Sequence, residues 1–205
     1  MKKFFLTSYL AGTAPLLAGF LKKDTNQPQR TLFITTAGNV ESYTRYISEG
    51  RATLVKLGLQ IDELDIAAVD EATAREQIKQ AEMITIVGGN TFYLLQELKR
   101  KDLLPLLREK CEAGTPYIGE SAGSIILAPD ISYAQIVDSP DLAPELKDYS
   151  GLALTDFYTL PHYIEPPFTE EVQETYRRYH DQQDLVPISN SEAIVVTGDE
   201  YKVVK

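Results

Sequence analysis

Short apolar runs alternate with segments of helical spacing along the first half of the chain. The apolar runs predict strands over 3–9, 30–36, 59–66 and 83–87. The remaining segments predict helices over 14–22, 41–57, 73–81, 92–98 and 103–111. Within 30–36 the apolar residues 32–34 follow one another without a break, as expected for a strand that is covered on both faces. Strands and helices that alternate at these lengths favour βαβ units and therefore a parallel sheet.

Local signals place the ends of several helices. Pro15 begins the first helix, and Gly58 ends the second, in which Tyr43 and Tyr46 count among the apolar positions. The run 73–76 (Thr-Ala-Arg-Glu) has the form of a capping box and opens the third helix. Ligands of such sheets bind outside the carboxyl ends of the strands. The loops that we expect to converge there are 36–39, 88–91 and 119–123.

A Gly-x-Ser-x-Gly sequence, centred on Ser121, lies at one of these strand ends. It follows a strand signal at 115–118 and precedes a short helical run at 124–128. Strand, sharp turn and helix are the context of a nucleophile elbow. Gly119 and Gly123 let the backbone pass close to itself, and the helix N-terminus faces any anion formed on a substrate. The motif alone is equally consistent with a serine N-cap between flexible glycines.

The pattern becomes irregular beyond the elbow. Segment 129–150 holds three prolines and four aspartates, and a lid over the site and a solvated loop without function both stay open. A strand at 152–160 then leads to a helix that Thr169 caps. The closing strands are predicted at 186–188, 193–196 and 201–204, with a hairpin turn at 197–200.

A serine nucleophile needs a base, and the chain has two histidines. His180 comes late in the helix after Thr169, where a positive charge suits the helix dipole, so we expect it at the surface. His162 follows a predicted strand and Pro161, where the backbone can aim the ring at a crevice. His162 is therefore the candidate base for Ser121.

Composition limits the classes of function. An apolar fraction of 43% over 205 residues suits one soluble domain spanning 1–205. A net charge of −10 without a basic run opposes a nucleic-acid partner. The single Cys111, a packing residue near a helix end, excludes an internal disulfide and fits a reducing, cytoplasmic compartment. We expect no metal and no cofactor, because neither a ligand cluster nor a phosphate-binding motif is present.

The N-terminal residues resemble a secretory signal at first sight, with Lys2 and Lys3 before an apolar stretch. Polar residues and Pro15 interrupt that stretch. We therefore interpret 3–9 as a strand and 14–22 as a helix. No run approaches the roughly 20 apolar residues of a membrane span, so no membrane partner is expected.

The segments 87–92, 118–123, 160–163 and 188–196 together, by order and spacing, resemble the peptidase E (aspartyl dipeptidase) family and the related cyanophycinases. The resemblance covers nearly the whole chain. It implies a flavodoxin-like parallel sheet flanked by helices, similar to class I glutamine amidotransferases, in which a cysteine occupies the elbow. It also implies Ser121 as nucleophile, His162 as general base, and the backbone N–H groups of Gly89 and Ala122 as oxyanion donors.

The third member of the triad departs from the family pattern. Family members place an acidic residue where this chain has Asn190. An asparagine carbonyl can accept from an imidazole N–H and hold its tautomer, but it brings no charge. The carboxylates that stay open as substitutes are Glu192, Glu165, Asp156 and Asp138.

The resemblance implies hydrolysis of short peptides through an acyl-enzyme on Ser121, with cleavage after an N-terminal aspartate as a family trait. Aspartyl specificity would need a cationic pocket, for which Arg45, Arg177 and Arg178 are the candidates. One alternative is a catalytically impaired member that binds a small metabolite or a partner in the same crevice, as Asn190 suggests. Another is an esterase or amidase with the same residues. The oligomeric state stays open, with a homodimer as one option.

Overall fold

The computed structural model describes residues 1–22 and 30–205. Strands and helices alternate over most of this range, as predicted. The strands are β1 Lys3–Thr7, β2 Arg30–Ile34, β3 Gln60–Leu64, β4 Ile84–Ile86, β5 Tyr117–Glu120, β6 Tyr158–Leu160, β7 Leu185–Pro187, β8 Ala193–Thr197 and β9 Glu200–Val204. The helices are α1 Ala14–Lys22, α2 Arg45–Lys56, α3 Glu71–Gln80, α4 Thr91–Arg100, α5 Leu104–Glu112, α6 Ala122–Ile125 and α7 Thr169–Tyr179.

A seven-stranded sheet of order β3-β2-β4-β5-β1-β8-β9 forms the centre of the fold. The five strands from β3 to β1 pair in parallel, whereas β8 and β9 are antiparallel additions at one edge. This confirms the predicted α/β class with a mostly parallel sheet. Because β5 lies between β4 and β1, the elbow is flanked by the loops that follow those two strands.

The core lies on both faces of the sheet. Phe4 and Leu6 on β1 face a large apolar cluster that includes residues of α3, α4 and α5. Phe5, between them in sequence, faces a second cluster with Leu17 of α1 and Leu54 of α2. Successive side chains of a strand point to opposite faces. The continuous apolar pattern of the central strands thus follows from helices on both sides.

The strand predicted at 152–160 is wrong over most of its length, because only Tyr158–Leu160 is a strand. Leu152 and Leu154 instead donate their N–H groups to the carbonyls of Ile126 and Leu127, each at 2.8 Å. The predicted strand at 186–188 also lies outside the main sheet. As β7, it pairs in parallel with β6, which brings 160–163 next to 188–190.

Several predicted helix starts are wrong as well. Helix α2 begins at Arg45 rather than at 41, because residues Thr36–Val40 form a 3₁₀ turn. The predicted capping box at 73–76 does not open α3. Asp70 is the N-cap, and its carboxylate accepts from the N–H of Thr73 at 2.7 Å. Phe168 occupies the N-cap position of α7, so Thr169 is the first helical residue and not the cap.

In the described part of the chain, no helix is long and apolar enough to cross a membrane.

Candidate active site

Ser121 stands in a strained turn between β5 and α6. Its backbone has φ 49° and ψ −108°, and a positive φ at a residue other than glycine typically costs about 1–3 kcal/mol. Its N–H donates to the carbonyl of Thr7 on β1 at 2.8 Å, so the pairing of β1 with β5 supports the turn. Strand, sharp turn and helix thus follow one another around Ser121.

The two glycines of the motif are required by close backbone contacts. A Cβ on Gly119 would lie 2.6 Å from the carbonyl oxygen of Gly123. A Cβ on Gly123 would lie 2.0 Å from the carbonyl oxygen of Ile86 on β4. Contacts below about 3 Å between a Cβ and backbone atoms force the chain apart. Larger residues at either position would therefore displace Ser121.

A hydrogen-bonded chain joins Ser121, His162 and Asn190. The Oγ of Ser121 lies 3.0 Å from Nε2 of His162, and Nδ1 of His162 lies 2.8 Å from Oδ1 of Asn190. An amide oxygen only accepts, so Nδ1 carries the proton of the neutral ring. Nε2 is then left as the acceptor for the hydroxyl proton of Ser121.

The backbone and ring of His162 are each fixed by neighbours. Its N–H donates to the Oγ of Ser8 at 3.0 Å, and that hydroxyl donates to the carbonyl of Ile188 at 3.0 Å. The ring packs against Phe168 with centroids 4.9 Å apart. Burial lowers the pKa of His162, and this is partly offset by the hydrogen bond with Asn190 and by the negative charge of Glu165. The ring is therefore neutral at pH 7, as a general base must be.

Of the four candidate carboxylates, Glu165 and Glu192 are nearest to Asn190 in sequence, and both accept from backbone N–H groups rather than from the imidazole. Glu165 accepts from the backbone N–H of Asn190 at 3.3 Å. Glu192 accepts from the N–H of Ser189 at 3.0 Å and pairs with Lys205 at 2.7 Å. Glu165 therefore supports Asn190, while Glu192 closes its own loop.

The other two candidate carboxylates are also placed away from the ring. Asp138 accepts from the N–H of Thr91 at 2.9 Å and from its hydroxyl at 2.5 Å. Asp156 is exposed. Within the described residues, the side chain that hydrogen-bonds Nδ1 of His162 is that of Asn190.

The loop after β4 brings Gly89 beside the elbow. Gly89 has φ +128°, and a Cβ there would lie 2.2 Å from the carbonyl oxygen of Ala37, so only glycine fits. A Cβ on its neighbour Gly88 would lie 3.2 Å from the Cβ of Ser121. Ala122 begins α6, and the first N–H groups of a helix have no partner inside it. Ala122 follows Ser121 in the chain and Gly89 follows Gly88, while the role of their N–H groups as oxyanion donors stays a prediction.

Glu120, which the sequence reasoning treated as the variable position of the motif, is a buried carboxyl beside the nucleophile. It is 1% exposed. One oxygen accepts from the N–H of Leu10 at 2.7 Å and the other from the N–H of Gly88 at 3.5 Å. Burial raises its pKa to about 7, partly offset by these bonds. The sequence signal that could have revealed this group is a charged residue at the end of a strand that is buried on both faces.

A cavity of about 750 Å³ opens in front of Ser121 and His162. Its walls come from the loops after β1, β4 and β5, from segment 41–49, and from 166–168. Segment 129–150 contributes Val137, Asp138, Ser139 and Leu142, while Ile131 and Tyr133 in the same segment are fully buried. The solvated-loop interpretation of this segment is therefore wrong, because it packs on the core and forms part of the cavity wall.

The three arginines proposed for a cationic pocket do not line this cavity. Arg45 is exposed and binds Glu49, with Nε 2.8 Å from the carboxylate. Arg177 is exposed and pairs with Glu174, and the guanidinium of Arg178 lies 5.7 Å from the centre of the Tyr179 ring. Among the described residues around the cavity there is no lysine and no arginine. Its carboxyl-bearing residues are Glu41, Glu49, Glu120 and Asp138.

Two residues with reactive side chains lie outside the site, as expected. His180 is the C-cap of α7, and its Nδ1 lies 2.9 Å from the carbonyl oxygen of Tyr176. Cys111 is buried, and burial raises its pKa to about 12, so the thiol is a packing group. Residues 1–22 and 30–205 contain no group of three or more His, Cys, Asp or Glu side chains that could hold a metal ion.

Comparisons with known proteins connect this chain to peptidases. The model described as Peptidase family S51 matches residues 4–204. An uncharacterized peptidase of Listeria monocytogenes is 42% identical over 200 residues, which cover 98% of this chain and 97% of the relative. Peptidase E of Shewanella sp. (strain W3-18-1) is 38% identical over 158 residues, which cover 77% of this chain and 61% of the relative.

Solved structures show the same similarity. The crystal structure of a candidate peptidase E protein from Listeria monocytogenes EGD-e matches with a TM-score of 0.93 at 41% identity, covering 100% of this chain and 98% of the other. A peptidase from an acI-B1 Actinobacterium matches with a TM-score of 0.74 at 20% identity, covering 100% and 87%. The second likeness concerns the fold alone.

Proposed function

The chain belongs to peptidase family S51, and from that premise we propose that it hydrolyses short peptides through an acyl-enzyme on Ser121. The observation that supports this most strongly is the hydrogen-bonded chain from Ser121 through His162 to Asn190. A hydroxyl next to a neutral imidazole, itself oriented by a third group, is the arrangement of an activated nucleophile.

The first half of the reaction forms the acyl-enzyme. Nε2 of His162 takes the proton as Oγ of Ser121 bonds to the carbonyl carbon of the peptide. The electron pair of the C=O bond moves to the oxygen, where the N–H groups of Gly89 and Ala122 stabilise it. Each donor of this kind typically contributes about 3 kcal/mol. The tetrahedral intermediate then expels the amine, which takes its proton from His162.

The second half releases the acyl group. A water molecule replaces the amine, gives a proton to Nε2 of His162 and attacks the ester carbon. The same two backbone donors hold the second oxyanion. The Ser121 oxygen leaves with the proton from His162, so the free acid is released and the enzyme is restored.

Asn190 holds the imidazole, and its hydrogen bond favours the charged form of the ring less than a carboxylate would, because an amide carries no net charge. Its Oδ1 accepts the Nδ1 proton at 2.8 Å, which keeps the tautomer and the ring orientation. A carboxylate in its place would add charge stabilisation of the imidazolium. We therefore expect turnover below that of a Ser-His-Asp site on the same frame.

Cleavage after an N-terminal aspartate does not follow from this cavity. An aspartyl substrate would bring a carboxylate among Glu41, Glu49, Glu120 and Asp138, without a lining cation in the described residues. Our proposal is therefore hydrolysis of short peptides without aspartyl preference.

The second candidate function is binding of a metabolite or partner by an impaired member, which the neutral Asn190 favours. A fluorophosphonate probe separates the two, with the adduct located by peptide mass spectrometry. We expect a stoichiometric adduct on Ser121 that is absent in Ser121→Ala and strongly slowed in His162→Ala. Folded protein that gives neither an adduct nor cleavage of any peptide in a panel would refute the hydrolase and favour the binding function.

A further inference from the structure

The end of β1 lies between the strand that carries the nucleophile and the segment that carries Asn190. In the sheet, β1 pairs with β5 on one side and with β8 on the other. Thr7, the last residue of β1, accepts the N–H of Ser121 at 2.8 Å. A Cβ on Gly12 would lie 2.2 Å from the carbonyl oxygen of Asn190. Residues 7–12 therefore pack against two members of the hydrogen-bonded chain.

The third member, His162, reaches the site from a different sheet. It follows β6, which pairs with β7 in a separate two-stranded sheet. Its backbone has φ 59°, a conformation that is unfavourable at residues other than glycine and persists only where the surrounding structure fixes it. The distance between the imidazole and Ser121 thus depends on contacts that join the two sheets.

Ser8 provides such a contact with its side chain. Its hydroxyl accepts the N–H of His162 at 3.0 Å and donates to the carbonyl of Ile188 at 3.0 Å. The same carbonyl accepts the N–H of Tyr163 at 3.0 Å, so the hydroxyl is bonded to the turn at His162 both directly and through Ile188. Ser8 is 2% exposed. Alanine at this position would remove the acceptor and the donor together.

We propose that Ser8 is a positioning residue that holds Nε2 of His162 within hydrogen-bond distance of the Oγ of Ser121. This rests on the proposed hydrolase function and adds a residue to it. The Ser8 hydroxyl bonds to backbone groups and not to the ring, so it acts through the position of His162 and takes no proton. A shift of about 1 Å in a reacting group can cost about 10²-fold in rate.

The first test is a double-mutant cycle on the rate at which a fluorophosphonate probe labels Ser121. Ser8→Ala should slow the labelling about tenfold or more. In the His162→Ala background, the same substitution should change the remaining rate less than about twofold, because no imidazole is left to position. A general loosening of the fold would instead slow the labelling by the same factor in both backgrounds.

Thr31→Val is the matched control for the loss of a buried hydroxyl. The hydroxyl of Thr31 lies 2.8 Å from that of Thr85, and both residues are fully buried. Thr31 is near the start of β2, away from the strand ends that form the site, so its loss should leave the labelling rate unchanged. Urea denaturation shows which variants are folded. If Ser8→Ala is not, Ser8→Cys carries the same test with an expected slowing of about threefold or more, because a thiol is a weak donor and acceptor.

The second test observes the imidazole without any reaction. The chain has two histidines, and His180 is exposed, so NMR spectra of protein with ¹⁵N-labelled histidine contain two sets of ring signals. The Nδ1 proton of His162, bonded to Asn190 at 2.8 Å, should exchange slowly with water in the wild type. Ser8→Ala should shift the His162 ring signals and speed this exchange, while the His180 signals stay unchanged.

The two tests separate this proposal from the hydrolase function. The proposal is overturned if Ser8→Ala labels as fast as the wild type, if labelling slows equally in both backgrounds, or if the His162 signals do not change. A wild type that gives no adduct and cleaves no peptide would refute the hydrolase. The positioning of His162 by Ser8 would then stand if the substitution moves the His162 signals and fail if it does not.

Discussion

The elbow and the acidic wall, formed by Glu41, Tyr46 and Asp138, line one cavity, but they satisfy their polar groups in opposite ways. At the elbow, Glu120 accepts two backbone N–H groups, and His162 is bonded at both ring nitrogens. At the wall, the hydroxyl of Tyr46 has no partner among the described residues. A saturated network preorganises chemistry, whereas a buried hydroxyl without a partner is unfavourable. The comparison therefore places the preorganised polar network on the side of Ser121.

Removal of the nucleophile gives the largest expected effect on the elbow side. Ser121→Ala should lower kcat by at least about 10⁴-fold, because no group remains to carry the acyl intermediate. Peptide hydrolysis followed by chromatography measures this. Ser150→Ala, an exposed serine, should keep full activity. Unchanged hydrolysis in Ser121→Ala would show that Ser121 is not the nucleophile.

Substitutions of Asn190 test whether the hydrogen-bonded chain from Ser121 through His162 requires a charged third member. Asn190→Ala should lower kcat about 10²-fold, because the Nδ1 proton loses its acceptor and the ring its orientation. In the wild type, buried His162 has a pKa below 6.5, so kcat/KM should fall only as the pH drops below that value.

Asn190→Asp is the matched variant for this position. Its carboxylate favours the imidazolium, so the acidic limb of kcat/KM should move to higher pH and kcat should recover at least to the wild-type level. A pH profile of the three proteins provides the measurement. If the acidic limb of the kcat/KM profile is the same in the wild type and in Asn190→Asp, the side chain at position 190 does not act on His162.

Gly123 tests how closely the elbow is packed. Gly123→Ala places a Cβ 2.0 Å from the carbonyl oxygen of Ile86 and should lower the free energy of unfolding by about 3 kcal/mol or more. Gly19→Ala on α1, where a Cβ meets nothing within 4 Å, should raise it by about 0.5–1 kcal/mol. Urea denaturation measures both. If Gly123→Ala is as stable as the wild type, the turn at Ser121 tolerates a Cβ at this position.

The buried carboxyl of Glu120 gives the smallest effect. Burial raises its pKa from 4.5 to about 7, so the folded protein keeps a proton that the unfolded chain loses. Its contribution is therefore complete below pH 4.5 and is lost as the pH rises through about 7. Glu120→Gln should remove on the order of 3 kcal/mol of this pH dependence. Glu109→Gln should follow the wild-type curve, and parallel curves for both variants would contradict the assignment.

Local sequence signals account for the elbow better than for the wall. Ser121 and His162 could be paired from the sequence because Ser121 is the centre of the motif and His162 is the histidine that was left as its base. The position of His162 after a predicted strand does not explain the pairing, since β6 lies outside the main sheet. Glu120 and Tyr46 were missed because their position in a motif or helix pattern does not show what they face. The hydrogen bond between Leu10 and Glu120 spans 110 residues. The periodicity of apolar positions gives no information about a contact between residues so far apart in the chain.

The sequence by itself determined the alternation of strands and helices, the glycines of the elbow and the identity of its serine and histidine. These follow from side-chain periodicity and from local sterics, which act within a few residues. Only the tertiary structure decided that Asn190 and not one of four carboxylates meets His162, and that the cavity is lined with acids. Those outcomes depend on how β6 and β7 pair and on how segments 41–49 and 129–150 pack, where burial and charge act between residues far apart in the chain.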